Sequence, residues 1–153
     1  HRQRQQGSVK SIAHRSNLMI ITISSTRMLA QHGFLAKIFD VFAKHKIVVD
    51  MVSTSEISIS LTTEAGQNLS DVLAALSSFS EVSVEEGLSA LSVVGEGVRD
   101  DSTVTARAFS TLNQNKIPVR MISLGASKIN LRLIVETPNV EPALKAWHQE
   151  FFS

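Results

Sequence analysis

Two carboxylates and a short run of hydroxyls sit where a strand built for burial is expected. In the stretch KIVVDMVSTSE, residues 46–56, the β-branched Ile47, Val48 and Val49 read as a strand. Asp50 interrupts their apolar run, and Thr54, Ser55 and Glu56 follow. A carboxylate inside such a strand is costly unless something pairs with it. The neighbouring sequence offers no obvious partner, so an external cation is a candidate. Upstream, Gly33 sits just before a helical pattern and lets a ligand approach the backbone closely. Amides at the start of that helix can serve a carboxylate through the dipole. Asp50 and Glu56 are acceptors for ammonium groups, Thr54 and Ser55 add hydroxyls, and Met28, Phe34 and Leu35 are candidates to line an aliphatic stem. Donors for a carboxylate, acceptors for an amine and an apolar slot are what a small amino acid needs. Each residue alone also has an ordinary reading. Asp50 would be a strand-end acid in water or beside a Lys or Arg, Gly33 a turn, Met28, Phe34 and Leu35 core, and Glu56 a solvated strand start. The constellation, not any one member, carries the binding reading.

The elements that must position these residues are legible by periodicity. Phe34, Leu35, Ile38, Phe39, Val41 and Phe42 recur at three- and four-residue spacing and predict an amphipathic helix over 34–45. His45 and Lys46 close it with cations at the negative end of the dipole. Before it, residues 9–15 alternate as a short strand and the apolar run 18–23 reads as a buried one. After it come strands at 47–52 and 56–62, a turn with Gly66, a helix over 69–78 and a strand at 81–86. From residue 18 to 86 the order is β-α-β-β-α-β, a complete ferredoxin-like unit. The pattern restarts after Gly87. A strand at 88–94 leads to a helix capped by Asp101 or Ser102 and carrying Val104, Ala108, Phe109 and Leu112. Strands at 117–122 and 129–135 and a last helix with Val140, Leu144, Trp147 and Phe151 complete it. This second unit is one strand short, and the spare strand at 9–15 fills the vacancy. The expected fold is α+β, with one ferredoxin-like unit inserted within the other. An internal repeat supports two units. KIVVDMVS at 46–53 aligns with KIPVRMIS at 116–123, an offset of 70 residues, and Asp50 becomes Arg120. A site that uses Asp50 to hold an amine presents a cation in its second copy, so one working site per chain is expected.

Composition removes several function classes. The chain has 153 residues, of which 43% are hydrophobic, so a real core is affordable. A net charge of +1 and strands almost without aromatics argue against nucleic-acid binding. No apolar run approaches the roughly 18–20 residues of a membrane span, and no secretory signal is visible. The absence of Cys excludes disulfides and thiolate chemistry and fits an intracellular setting. The sequence contains no phosphate-binding G-x-x-x-x-G-K-[ST] loop, no G-x-S-x-G and no clustered His, so neither catalysis nor a metal site is expected.

The stretches MLAQHGFLAKIF, VDMVSTSEISISLT and RMISLGASKINLRLIV occur in that order, and together they resemble the regulatory half of aspartate kinase of the lysine-inhibited type. The resemblance runs from about Val9 to the C-terminus. It implies two ACT domains: an effector-binding first domain at 17–87, inserted within a second made of 9–16 plus 88–153, with 1–8 as the linker from a kinase domain. Carried over residue by residue, the implied lysine site is Met28, Gly33, Phe34, Leu35, Val48, Val49, Asp50, Thr54, Ser55 and Glu56. Lysine is the implied effector, with S-adenosylmethionine and threonine as alternatives. The implied partner is a second copy, joined through the first ACT domain. ATP and Mg would belong to the kinase domain, leaving no cofactor in this stretch, which alone should be inactive. The implied location is cytoplasmic, or the plastid stroma in a plant or alga. A chain that begins at His1 with no Met reads as a piece of a longer one. Two other readings stay open: an assembly module that binds no effector, and a stand-alone amino-acid-binding regulator.

Overall fold

The computed structural model describes residues 9–25, 33–55, 57–66, 69–95, 102–124 and 129–153. Among these residues six strands and four helices follow in the order β1 (Val9–Ser24), α1 (Phe34–Lys44), β2 (Val52–Thr54), β3 (Ser58–Glu64), α2 (Ser70–Ser77), β4 (Glu81–Gly95), α3 (Ser102–Gln114), β5 (Met121–Leu124), β6 (Ile129–Glu136) and α4 (Val140–Phe152). A 3-10 turn, Thr137–Asn139, leads into α4 and takes Pro138 in its first positions, where a missing N–H costs nothing. The chain divides into two compact units, Asn17–Gly87 and Leu88–Ser153 with the segment before Asn17. The fold is the expected nested pair of ferredoxin-like units. The two strands expected on either side of residue 16 are one strand, β1, and those on either side of Gly87 are likewise one, β4. Asn17 and Gly87 take positive φ, 65° and 73°, inside these strands. Such a residue redirects a strand without ending it. Each long strand therefore serves both units in turn.

In the inserted unit the strand order is β2-β3-β1-β4. β1 and β3 pair antiparallel from Leu18↔Glu64 to Ser24↔Ser58. Alternate residues Met19, Ile21 and Ile23 of β1 and Ile59 and Leu61 of β3 meet Phe34, Ile38 and Phe42 of α1 and Val72 and Leu76 of α2 in one core. The buried stripe of α1 is thus narrower than the sequence pattern. Leu35 and Phe39, rotated about 100° from their neighbours, are 43% and 37% exposed. In the other unit the order is β1-β4-β6-β5. There Leu91 and Val93 of β4, and Leu131, Leu133 and Val135 of β6, pack on Val104, Ala108 and Leu112 of α3 and on Val140, Ala143 and Trp147 of α4.

The repeat seen in the sequence is also a repeat of hydrogen bonds. Helix α1 ends with Ile47 N–H on Phe42 O (3.0 Å) and Lys46 N–H on Ala43 O (3.1 Å). Helix α3 ends with Ile117 N–H on Leu112 O (3.0 Å) and Lys116 N–H on Asn113 O (3.0 Å). Both are Schellman ends, in which an apolar residue folds back onto the last helical turn. Lys46 and Lys116 occupy the left-handed position at φ 57°. That conformation favours glycine, because a Cβ there crowds the following carbonyl. Lys46→Gly and Lys116→Gly are each expected to stabilise the chain by about 1 kcal/mol. Thermal melting should register each as a rise of about 2–4 °C.

These helix ends also correct the expected strands. Between the helix end and β2, residues 47–49 make no regular pairing, Asp50 and Met51 bond to Thr62 outside it, and the regular strand is only Val52–Thr54. The expected strand at 117–122 likewise reduces to Met121–Leu124, and the one at 56–62 shifts to Ser58–Glu64. Asp101, offered as a helix cap, lies outside the described residues.

Candidate functional site

The expected site residues fall into two sets within the inserted unit. Gly33, Phe34 and Leu35 open α1. Gly33 is its N-cap at φ 83°, ψ −2°, and its carbonyl accepts the first helical bond from Lys37 N–H at 2.9 Å. Among the described residues no side chain caps this end. Phe34 is a core residue, 2% exposed, with its ring edge-on to Phe79 at 5.9 Å. Lys37 Nζ lies 4.3 Å from the Phe79 ring centroid, over the same aromatic pair. Leu35 is the exposed apolar side chain at the helix start.

The second set lies along the outer edge of the unit, on β2 and the segment before it. Val48 is 75% exposed, Val49 packs partly against the core, and Asp50 is exposed. Asp50 N–H donates to Thr62 O (2.9 Å), while Thr62 N–H donates to Met51 O (3.0 Å). Asp50 and Met51 therefore both oppose Thr62, which is a β-bulge. Met51 N–H donates to the Thr62 hydroxyl at 2.8 Å. A bulge ends regular pairing and re-aims its side chains, and here it sets Asp50 at the strand edge. Thr62 is fully buried. Its role as the anchor of the bulge depends on a partner 11 positions away, which spacing cannot show.

Thr54 ends β2 and is exposed. The Ser55 hydroxyl is engaged in the turn to β3: it lies 2.9 Å from Ser58 Oγ and accepts from Ser58 N–H at 3.2 Å. Ser55 therefore shapes the loop. Met28 and Glu56, the remaining members, lie outside the described residues. A hollow of about 470 Å³ opens beside this loop, lined by Ser24, Ser25, Ile57, Ser80 and Glu81, and Ser25 N–H donates to Ile57 O at 3.0 Å across it. The sequence reading did not single these out, since they come from the ends of three separate strands.

The other unit repeats the bulge with opposite chemistry. Arg120 N–H donates to Ile134 O at 2.7 Å, as Asp50 does to Thr62. The Arg120 guanidinium donates through Nη2 to Glu136 Oε2. The place of the carboxylate in one unit is taken in the other by a cation with an acid of its own.

Comparisons with known proteins agree with this architecture. The ACT-domain family profile matches residues 21–78 and 91–151, one segment in each unit. The chain is 39% identical over 160 residues to the chloroplastic aspartokinase 3 of Arabidopsis thaliana, which covers 99% of the chain but 28% of that protein. Among solved structures, one assigned as a C-terminal regulatory domain of aspartate kinase from Porphyromonas gingivalis superposes with a TM-score of 0.81 at 31% identity, covering 94% of this chain and 97% of that one. Escherichia coli aspartokinase III, in complex with lysine and aspartate, superposes with a TM-score of 0.80 at 33% identity, over 95% of this chain and 33% of that one. The chain thus spans about a third or less of the full-length relatives and nearly all of the separate regulatory domain. With both units matched and an aspartate kinase regulatory domain as its full-length counterpart, the chain belongs to the ACT-domain family, in the tandem form of the aspartate kinase regulatory regions.

Proposed function

We propose that this chain is the amino-acid-sensing region of an aspartate kinase and that lysine is its effector. The longer protein would phosphorylate the side-chain carboxylate of aspartate with ATP, and bound lysine would hold it in a less active state. The observation that carries the reading is the bulge at Asp50, which puts a carboxylate on the exposed edge of the inserted unit. The arginine at the repeat position bars an amine from the same place in the other unit. The proposed site is Met28, Gly33, Phe34, Leu35, Val48, Val49, Asp50, Thr54, Ser55 and Glu56. Asp50 and Glu56 would take the ammonium groups, the start of α1 the carboxylate, and Leu35 the stem. Phe34 would act from beneath, holding the helix start on the core. The E. coli relative solved with lysine and aspartate supports the choice of effector. The compartment would be that of the parent enzyme, the plastid stroma or the cytoplasm.

Assembly belongs to the same reading. Among the described residues the outer strand β2 has an open edge, and Val52 (46%), Leu35 (43%) and Phe39 (37%) are exposed apolar side chains on β2 and α1. Open edges pair with other chains, so we place a second copy against the inserted unit. Coupling between ligand sites of this kind is typically about 1–3 kcal/mol. Thermal melting with lysine at a hundred times its dissociation constant should show about 2.7 kcal/mol of added stability. Sedimentation should show a dimer that lysine tightens. A chain that stays monomeric at high concentration, with no thermal response to lysine, would sink both parts.

A further inference from the structure

The two units, compared position by position, assign one more residue to the amine site. Asp50 and Arg120 hold the same place, each donating its N–H to the carbonyl opposite its bulge, Thr62 O at 2.9 Å and Ile134 O at 2.7 Å. Glu64 and Glu136 also correspond. Each stands two residues beyond that bulge partner, and in the antiparallel ladders they face Leu18 and Leu88. Residues two apart on a strand share a face, so each glutamate lies on the same side as its bulge partner. In the unit that carries Arg120, the two positions are joined by an ion pair from Arg120 Nη2 to Glu136 Oε2. The spacing between the bulge and the strand-end acid is therefore one that a cation spans.

We propose that Glu64 is a second carboxylate of the ammonium subsite at Asp50, gripping the ligand's cation as Glu136 grips Arg120. The proposal rests on the effector reading above. In the inserted unit the bulge carries a carboxylate in place of the guanidinium. A primary ammonium brought by the ligand fits the place that the guanidinium takes in the other unit. Asp50 and Glu64 are both exposed, so a ligand from solvent reaches them. Placed on the side-chain ammonium, two acids select for a ligand whose side chain carries charge, and they penalise apolar amino acids of similar length.

The test is lysine titration of the unsubstituted chain, of Glu64→Gln and of the matched change Glu136→Gln. Glu64→Gln is expected to weaken lysine about tenfold, the scale of one charge-assisted contact, while Glu136→Gln leaves it unchanged. Equal affinity in Glu64→Gln and the unsubstituted chain overturns the proposal. A second arm needs no ligand. Asp50→Arg should pair with Glu64, so Glu64→Gln should lower the melting temperature more in the Asp50→Arg background than alone. Equal lowering in both backgrounds overturns the proposal. If the unsubstituted chain binds no lysine, the effector reading fails, and the melting arm then decides this inference by itself.

Discussion

Trp147→Ala is expected to cost about 3–5 kcal/mol, the range for removing a large aromatic from a packed core. Trp147 is fully buried in α4, and its Nε1–H donates to Ala108 O on α3 at 3.1 Å. It packs among Leu112, Leu133, Val135 and Ala143, so α3, α4 and the sheet all lose contacts together. Truncation opens a cavity and also removes the donor from a buried carbonyl. Against the roughly 5–15 kcal/mol that holds an ordinary domain folded, this is a large share. Trp147→Phe separates the two effects. It keeps most of the ring volume and loses the hydrogen bond, so it should cost about 1–2 kcal/mol. Because Trp147 is the only tryptophan, denaturation should be followed by far-ultraviolet circular dichroism. Equal stability of the unsubstituted chain and Trp147→Ala would contradict the packing described here.

Asp50→Ala carries the largest expected effect on binding. Truncating one partner of a buried hydrogen-bonded charge pair typically costs about 2–5 kcal/mol, and with bound lysine covering Asp50 the loss of affinity should be about thirtyfold or more. The fold should survive the change. The bulge is held by the Asp50 backbone N–H and by Thr62, and Asp50→Ala keeps both. Asp50→Asn, which keeps the shape and removes the charge, should lose most of the same affinity. Titration calorimetry beside a melting curve checks both halves of this expectation. Lost affinity with an unchanged melting temperature is the predicted pair.

The nested fold was readable because its signals are local and repeated. The 3.6-residue stripe of Phe34, Ile38 and Phe42, the alternation in β3 and the 70-residue echo of KIVVDMVS each need only one stretch of chain. Positive-φ residues misled the reading at two places. Asn17 and Gly87 read as breaks between strands, whereas each sits within a continuous one. Both lie at the division between the two compact units. The start of β2 was misplaced for a different reason. Ile47, Val48 and Val49 have strand chemistry, but the Schellman end of α1 and the bulge at Asp50 and Met51 take up those residues before regular pairing begins. The acid at the site could be picked out by its misfit with the apolar residues around it. The relation of Glu64 to Asp50 could not, because it depends on strand register and on what the second unit places at the same points.

The most direct measurement is isothermal titration of the chain with lysine, threonine and S-adenosylmethionine, repeated on Asp50→Ala. The account predicts heat from lysine, with micromolar binding corresponding to about −8 kcal/mol, and its disappearance in the variant. Lysine heat that is unchanged in Asp50→Ala would contradict the assignment of the anchoring acid. Heat from none of the three ligands would contradict effector binding by this chain.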